Sequence, residues 1–359
     1  MQRSTVDRQA RVEALVRYLC SPACAGRAPN TPEGIAARER IVAEFRDAGV
    51  APGAQDGYLQ PVPRCGANVL AEHPGSGPLA ARAVVVAAHY DHLGKCRDGE
   101  AFWGADDNAA AVAILLELAR TLVADALPGR RVVLAAYDGE EAPHFLSGTM
   151  GSMHHVAHPT VPLSQIDMMV CMDLCGHAIG PAGLPAAVRD SIFVLGAELS
   201  DGTDALVEGA AQPGGVYPRR VDLDVIPPLS DYYAFRGAGV PVLFLTCGRW
   251  EHYHRVTDTP DRLDYRKIIA TADYLARLVQ SLRARPDAPV RLHTRRRDDA
   301  ATVASLLALA ELLAPFSAEA RGAVAQLEPL AAAAAHAPLS QAHRAFLSGL
   351  VHALESALG

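Results

Sequence analysis

Apolar positions along the chain fall into short uninterrupted runs separated by stretches of helical spacing. Residues 83–88 (AVVVAA) are apolar throughout, as expected of a strand covered on both faces. Similar runs occupy 131–137 (RVVLAAY), 168–172 (MMVCM), 192–195 (IFVL) and 240–246 (VPVLFLT). Between them, 109–123 (AAAVAILLELARTLV), 201–211 and 265–282 carry helical periodicity. Residues 8–20 predict a first helix. Thr31-Pro32-Glu33 then supplies an N-cap, a proline at the first helical position and an acid in the first turn. That second helix should end near Ala48, before Gly49. Strands alternating with helices predict an α/β fold, a largely parallel sheet with helices on both faces.

The pattern changes after Arg285. Residues 286–297 read as a linker, and 298–314, 317–336 and 340–358 are rich in alanine and leucine at helical spacing. Pro315-Phe316-Ser317 and Pro338-Leu339-Ser340 divide them as stop-and-cap signals. The division expected is a main unit over 1–285 and a linker with an all-helical extension over 286–359. The extension gathers no catalytic residue types. It should pack on the main unit or pair two copies of the chain as a homo-oligomer.

Composition mainly excludes. Half of the 359 residues are apolar and a fifth are charged, with 33 Lys and Arg against 40 Asp and Glu for a net charge of −7. No basic block stands out, and Arg295-Arg296-Arg297 runs straight into Asp298-Asp299, a poor start for a nucleic-acid site. No run approaches the roughly 18 apolar residues of a membrane span, and the first twenty residues lack the apolar core of a signal peptide. Seven cysteines form an odd set without disulfide-framework spacing. Together these set a cytoplasmic expectation, with neither nucleic acid nor membrane as partner.

Chemistry gathers at the strand ends, where open α/β sheets bind ligands. His89 and Asp91 stop the 83–88 run, and Asp106-Asp107-Asn108 precedes the 109–123 helix. Asp138, Glu140 and Glu141 end the 131–137 run, Asp173 ends 168–172, and His252-Tyr253-His254 follows 240–246. A lone carboxylate after a strand is usually a cap or a solvated loop residue; five such groups at successive strand ends are not. Imidazoles and carboxylates without thiolates suit zinc, manganese or a similar ion. Two ions about 3.5–4 Å apart need a bridging carboxylate and further ligands each.

GADDNAAAVAILLELA, YDGEE and YHRVTDTPD, in this order, resemble the co-catalytic two-zinc aminopeptidase family, which shares its fold with glutaminyl cyclases. The resemblance runs from GRAPNTPEG to TDTPDRLDY, roughly residues 10–285, and leaves the helical tail outside. It implies a zinc-peptidase-like three-layer α/β/α fold with a mostly parallel mixed sheet, and a peptide with a free N-terminus as substrate. It implies two Zn2+, with Mn2+ or Co2+ as tolerated substitutes. His89 and Asp173 would hold one ion, Glu141 and His254 the other, and Asp107 would bridge them, with Asp106 a loop neighbour. His254 is preferred to His252 because its spacing to Asp258-Thr259 matches the family's H-x-x-x-D-T. Asp91 would accept a hydrogen bond from His89, and His92 is expected at the surface or behind the ligands. Glu140 would be the general base, taking a proton from a water acidified by the ions. Tyr253 would donate to the oxyanion.

Two departures point towards the cyclases. EEAPHFLSGTMGS is longer than the short turn of simple aminopeptidases, and SDYYAF places Asp231 where cyclases use a catalytic acid. Asp-Asp-Asn at the bridge, Tyr253 before the last histidine and the TDT tail favour hydrolysis. A metal-free scaffold is disfavoured because every expected ligand is present. Cys171 and Cys175 flank Asp173 but read as small buried residues. Phe102, Trp103, Phe145, Tyr232 and Tyr233 are candidates for a side-chain pocket.

Overall fold

A computed structural model describes residues 2–124 and 127–358. Its strands are β1 (Ala51–Pro52), β2 (Leu59–Val62), β3 (Gly66–His73), β4 (Ala83–His89), β5 (Arg131–Tyr137), β6 (Ile166–Met172), β7 (Ser191–Leu195), β8 (Tyr217–Val221) and β9 (Val242–Thr246). The helices of the main unit are α1 (Gln2–Leu19), α2 (Pro32–Ala48), α3 (Ala111–Ala124), α4 (Gly151–Ala157), α5 (Ala186–Arg189), α6 (Thr203–Gly209), α7 (Tyr232–Gly237) and α8 (Tyr265–Ala284). The extension adds α9 (Asp299–Leu313), α10 (Ala318–Ala334) and α11 (Gln341–Leu358).

One mixed sheet runs β1-β3-β5-β4-β6-β9-β7-β8, with β2 beside β3. Its centre, β5-β4-β6-β9, is parallel, whereas β3 joins β5 and β7 joins β9 in antiparallel fashion. The unbroken apolar runs now have a cause. Val84, Val86 and Ala88 of β4 belong to the core under α1, α2, α3 and α8, while Ala83, Val85 and Ala87 belong to the core under α4 and α7. Each strand residue therefore needs an apolar side chain whichever way it points.

Several elements exceed the pattern. The first helix begins at Gln2 rather than residue 8, and β3, β8, α4 and α7 carry no clear signal. β8 reads YPRRV, yet an edge strand tolerates Pro218 and the partly exposed arginines. The predicted 109–123 helix starts earlier, as a π-helical turn over Ala105–Ala110, and becomes α-helical at Ala111.

The linker is strapped down. Asp167 accepts from Val290 N at 2.8 Å, and Arg130 bonds both Asp167 and Arg285 O at 2.6 Å. Beyond it the three helices share a small core that includes Val303, Leu306, Leu327 and Leu347. A second cluster joins Leu309, Leu313 and Ala320 to Ile179, Val188 and Cys247 of the main unit. Polar pairs fix the seam: Arg220–Asp298 at 2.7 Å, Asp222 N–H to Thr302 Oγ1 at 2.8 Å, and Ser348 Oγ to Val225 O at 2.7 Å. Among the described residues no helix is long and apolar enough to cross a membrane.

Candidate metal centre and active site

The carboxyl ends of β4, β5, β6 and β9 converge on one buried pit. His89 is the last residue of β4, Asp173 follows β6, and Glu140 and Glu141 lie in the turn after β5. Asp107 comes from the π-helical turn, where it and Asn108 leave helical geometry (φ −109°, ψ 84° for Asp107). Three buried side chains shape that turn. Asp258 accepts from the N–H groups of Asp106 and Asp107 at 3.0 and 3.1 Å. Asn108 Nδ2 donates to Met172 O at 3.0 Å. Arg27, of the GRAPNTPEG segment, donates to the carbonyls of Tyr90, Trp103, Gly104 and Asp107. Gly104 has φ 57°, and a Cβ there would lie 2.3 Å from Asp107 O and 2.6 Å from the His92 ring, so the close approach requires glycine.

Two donor groups share Asp107. On one side His89 Nε2 lies 3.3 Å from Asp107 Oδ1 and 3.5 Å from Asp173 Oδ1. On the other, His254 Nε2 lies 3.2 Å from Asp107 Oδ2 and 3.3 Å from Glu141 Oε2. Donors bound about 2.0–2.1 Å from a tetrahedral ion stand about 3.3 Å apart. The spacings are those of ligands around a cation. The hydrogen bonding agrees, since both His89 ring nitrogens, Asp107 Oδ2 and Asp173 Oδ1 are buried without a hydrogen-bond partner. Burying several carboxylates together is costly unless something positive offsets them. Asp107, Glu140, Glu141 and Asp173 carry four negative charges when ionised, which two divalent cations would match.

The electrostatics follow from this crowding. Burial tends to raise the Asp107 carboxyl, but the His254 and His89 imidazoles outweigh it and hold it well below the carboxylate range. Burial lowers His254, yet its bonds to Asp107 and Glu141 push it up to about 10. Glu140 is raised well above its ordinary value by burial, and Asp173, Glu141 and Asp231 reinforce the shift against the pull of His89.

Not every expected partnership forms. Asp91 stands 3.5 Å from His89 Nδ1 without a hydrogen bond. Its oxygens instead accept from the backbone N–H groups of Glu140 and Glu141 at 3.0 and 3.1 Å. Asp91 thus orients the base turn rather than the imidazole. His92 is not at the surface: it is 1 % exposed, with Nδ1 3.0 Å from Glu141 Oε1 and 3.9 Å from Asp107 Oδ2. A glycine beneath its ring and a short turn after β4 bring it inward. His252 points elsewhere, pairing with Thr257 Oγ1 at 3.0 Å and meeting Trp250 edge-on. Tyr253 stacks on His254 with centroids 3.9 Å apart, and Arg249 covers its ring. Asp231 is fully buried, and neither oxygen has a hydrogen-bond partner. Asp138 lies outside the pit, bonded to Tyr90 Oη at 2.7 Å and Ala67 N at 3.0 Å. Cys171 and Cys175 are buried, their thiols directed at Ser230 Oγ and at the backbone oxygens of Leu245 and Asp173 and not into the donor groups.

Arg27, Asp258 and His177 were missed as supports of the site. His177 holds Asp106 through Nδ1 at 2.6 Å and stacks on Trp250. The signals available were an arginine beside a glycine, the TDT tail and a histidine five residues past a strand end, none of which names a partner.

Residues 68–279 match the model of peptidase family M28. The chain belongs to peptidase family M28. That family is zinc-dependent in general, and the buried donor groups are of the kind that can hold such ions. The Escherichia coli protein YfbL, itself uncharacterised, is 31 % identical over 287 residues, 73 % of this chain and 84 % of YfbL. Glutaminyl-peptide cyclotransferase of Bos taurus is 28 % identical over 295 residues, 71 % of this chain and 76 % of the bovine one. Among solved structures, the Legionella pneumophila LapA aminopeptidase superposes with a TM-score of 0.63 at 17 % identity, covering 78 % of this chain and 73 % of LapA. Porphyromonas gingivalis glutaminyl cyclase gives 0.57 at 19 % identity, covering 76 % and 98 %. These two likenesses establish the fold shared by this M28 member.

Proposed function

We propose that the protein is an M28 aminopeptidase that releases the N-terminal residue of peptides with two divalent ions, zinc for preference. The observation that carries this reading is Asp107, which turns one oxygen to the His89 and Asp173 group and the other to the His254 and Glu141 group. When bound, two such ions acidify a water and polarise the scissile carbonyl. Glu140, whose Oε2 lies 4.0 Å from His89 Nε2, stands beside the residues that would hold the ions. Its raised proton affinity suits it to take the water's proton and return it to the leaving amine. Tyr253 is assigned to donate its phenolic proton to the developing oxyanion, its ring held against His254. The substrate's free α-amine would be held by Glu140, by Asp173 or by the ions themselves.

One observation favours a second reading, cyclisation of N-terminal glutamine. Asp231, at the position the resemblance gives to a cyclase acid, is fully buried with neither oxygen hydrogen-bonded, and burial raises it to about 7. The bovine cyclotransferase relative supports the same alternative. Incubating the purified protein with one peptide beginning in leucine and another beginning in glutamine separates the readings by mass. Loss of one residue from the first is expected. Loss of ammonia from the second, with the first untouched, would reverse the assignment.

A further inference from the structure

We propose that the C-terminal helices form the outer wall of the pocket for the substrate's first side chain, and that this wall selects an aliphatic residue. The inference rests on the aminopeptidase reading above. A cavity of about 90 Å3 has Asp173 and Tyr253 in its lining, two residues it shares with the metal pit. Phe193 and Leu195 of β7 and Phe244 of β9 line its inner side. Leu306 and Leu309 of α9 with Val351, Leu354 and Leu358 of α11 close the outer side. These positions fall at helical spacing, so each helix turns one apolar face to the cavity.

None of the aromatic residues expected from the sequence lines this space. Tyr232, for instance, packs on Phe244 at 4.9 Å and is 1 % exposed. The family match ends at residue 279, so the outer wall is this chain's addition to the matched segment. It is held firmly. Ser305 Oγ donates to Arg220 O at 2.7 Å, Asp298 N–H donates to Asp222 at 2.8 Å, and Arg344 pairs with Asp299 at 2.7 Å. A substrate side chain would therefore meet a formed surface and not a mobile tail.

The lining sets the chemistry. The pit would receive the free α-amine while the adjoining apolar cavity receives the side chain. An engineered cavity of about 150 Å3 accepts benzene, so the smaller volume here favours leucine, methionine or valine over aromatic residues.

The test compares kcat/KM for leucyl, alanyl and phenylalanyl p-nitroanilides in the full-length metal-loaded enzyme. The wild type should prefer leucine to alanine by about 10-fold or more, since each methylene in an apolar pocket is worth about 10–200-fold. Leu354→Trp, which fills the cavity, should collapse that ratio by about 10-fold or more. Leu354→Ala and Val351→Ala, which enlarge it, should raise phenylalanine relative to leucine and keep the proposal testable if the tryptophan variant misfolds. Ala353→Trp, on the exposed side of α11, is the control and should retain the wild-type ratio. Hydrolysis with the same leucine-to-alanine and phenylalanine-to-leucine ratios in every variant would overturn the wall while leaving the aminopeptidase reading intact. Hydrolysis of no substrate by the wild type would remove both.

Discussion

The metal pit and the seam beneath the C-terminal helices lie side by side, yet they are built on opposite principles. In the pit, buried His89, Asp107, Glu141 and Asp173 and half-buried His254 leave polar atoms facing one another, an arrangement that costs stability unless cations are bound. In the seam, apolar side chains such as Leu309, Leu313 and Ile179 meet directly, with polar pairs such as Arg220–Asp298 and Asp222 N–H to Thr302 Oγ1 beside them. The first region gives up stability for chemistry, whereas the second supplies stability and shapes the neighbouring cavity. Substitutions should therefore separate them: in the pit they should change turnover and metal affinity, and in the seam they should change folding and preference.

The largest effect belongs to Glu140. Glu140→Gln is expected to lower kcat by about 10²–10⁴-fold, the range of a lost general base, while metal content and melting temperature hold. A matching loss of metal would reassign Glu140 from base to ligand. His92 sharpens the boundary of the pit. With Nδ1 3.0 Å from Glu141 Oε1, it either orients that ligand or joins it. In both cases His92→Ala should weaken metal binding by about 10–100-fold, read by competition with a chelator. Unchanged affinity with a lower melting temperature would return His92 to a packing role.

The smallest effect is in the seam. Burial, helped by Asp222, raises Glu198 from an ordinary value of 4.5 to about 7. Its folded form then binds more protons than the unfolded chain between those two values, so its contribution to stability falls as pH rises through that window. Glu198→Gln removes the charge and can still accept from Leu223 N. It should stabilise the protein by ~1–3 kcal/mol at pH 8, and the gain should shrink towards pH 4.5. A gain independent of pH would mean that ionisation of Glu198 is not its source.

The same contrast governs what could be read from the chain. The pit was legible because charged residues at the ends of apolar runs are conspicuous, and their types alone restrict the chemistry. The parallel centre of the sheet was legible for the related reason that strands covered on both faces show as short apolar runs between helical stretches. Helix limits were legible where caps are explicit: Thr31 accepts from Gly34 N, Asp298 from Ala301 N and Ser317 from Ala320 N. β8 was not, because YPRRV owes its extended form to pairing with β7 and not to its own residues. The inward turn of His92 and the bonds of Arg27 depend on a loop path that no local pattern encodes. The destination of α9 and α11 was illegible for a more general reason, since an apolar helical face says that it will be buried but not against what.

Whether a pair of ions shares Asp107 is read from metal content. The purified protein should be equilibrated with zinc, desalted and analysed for metal per chain, alongside Asp107→Asn. Two equivalents are expected for the wild type and a loss of at least one in the variant. One equivalent or none in the wild type, or two retained by Asp107→Asn, would contradict the shared pair.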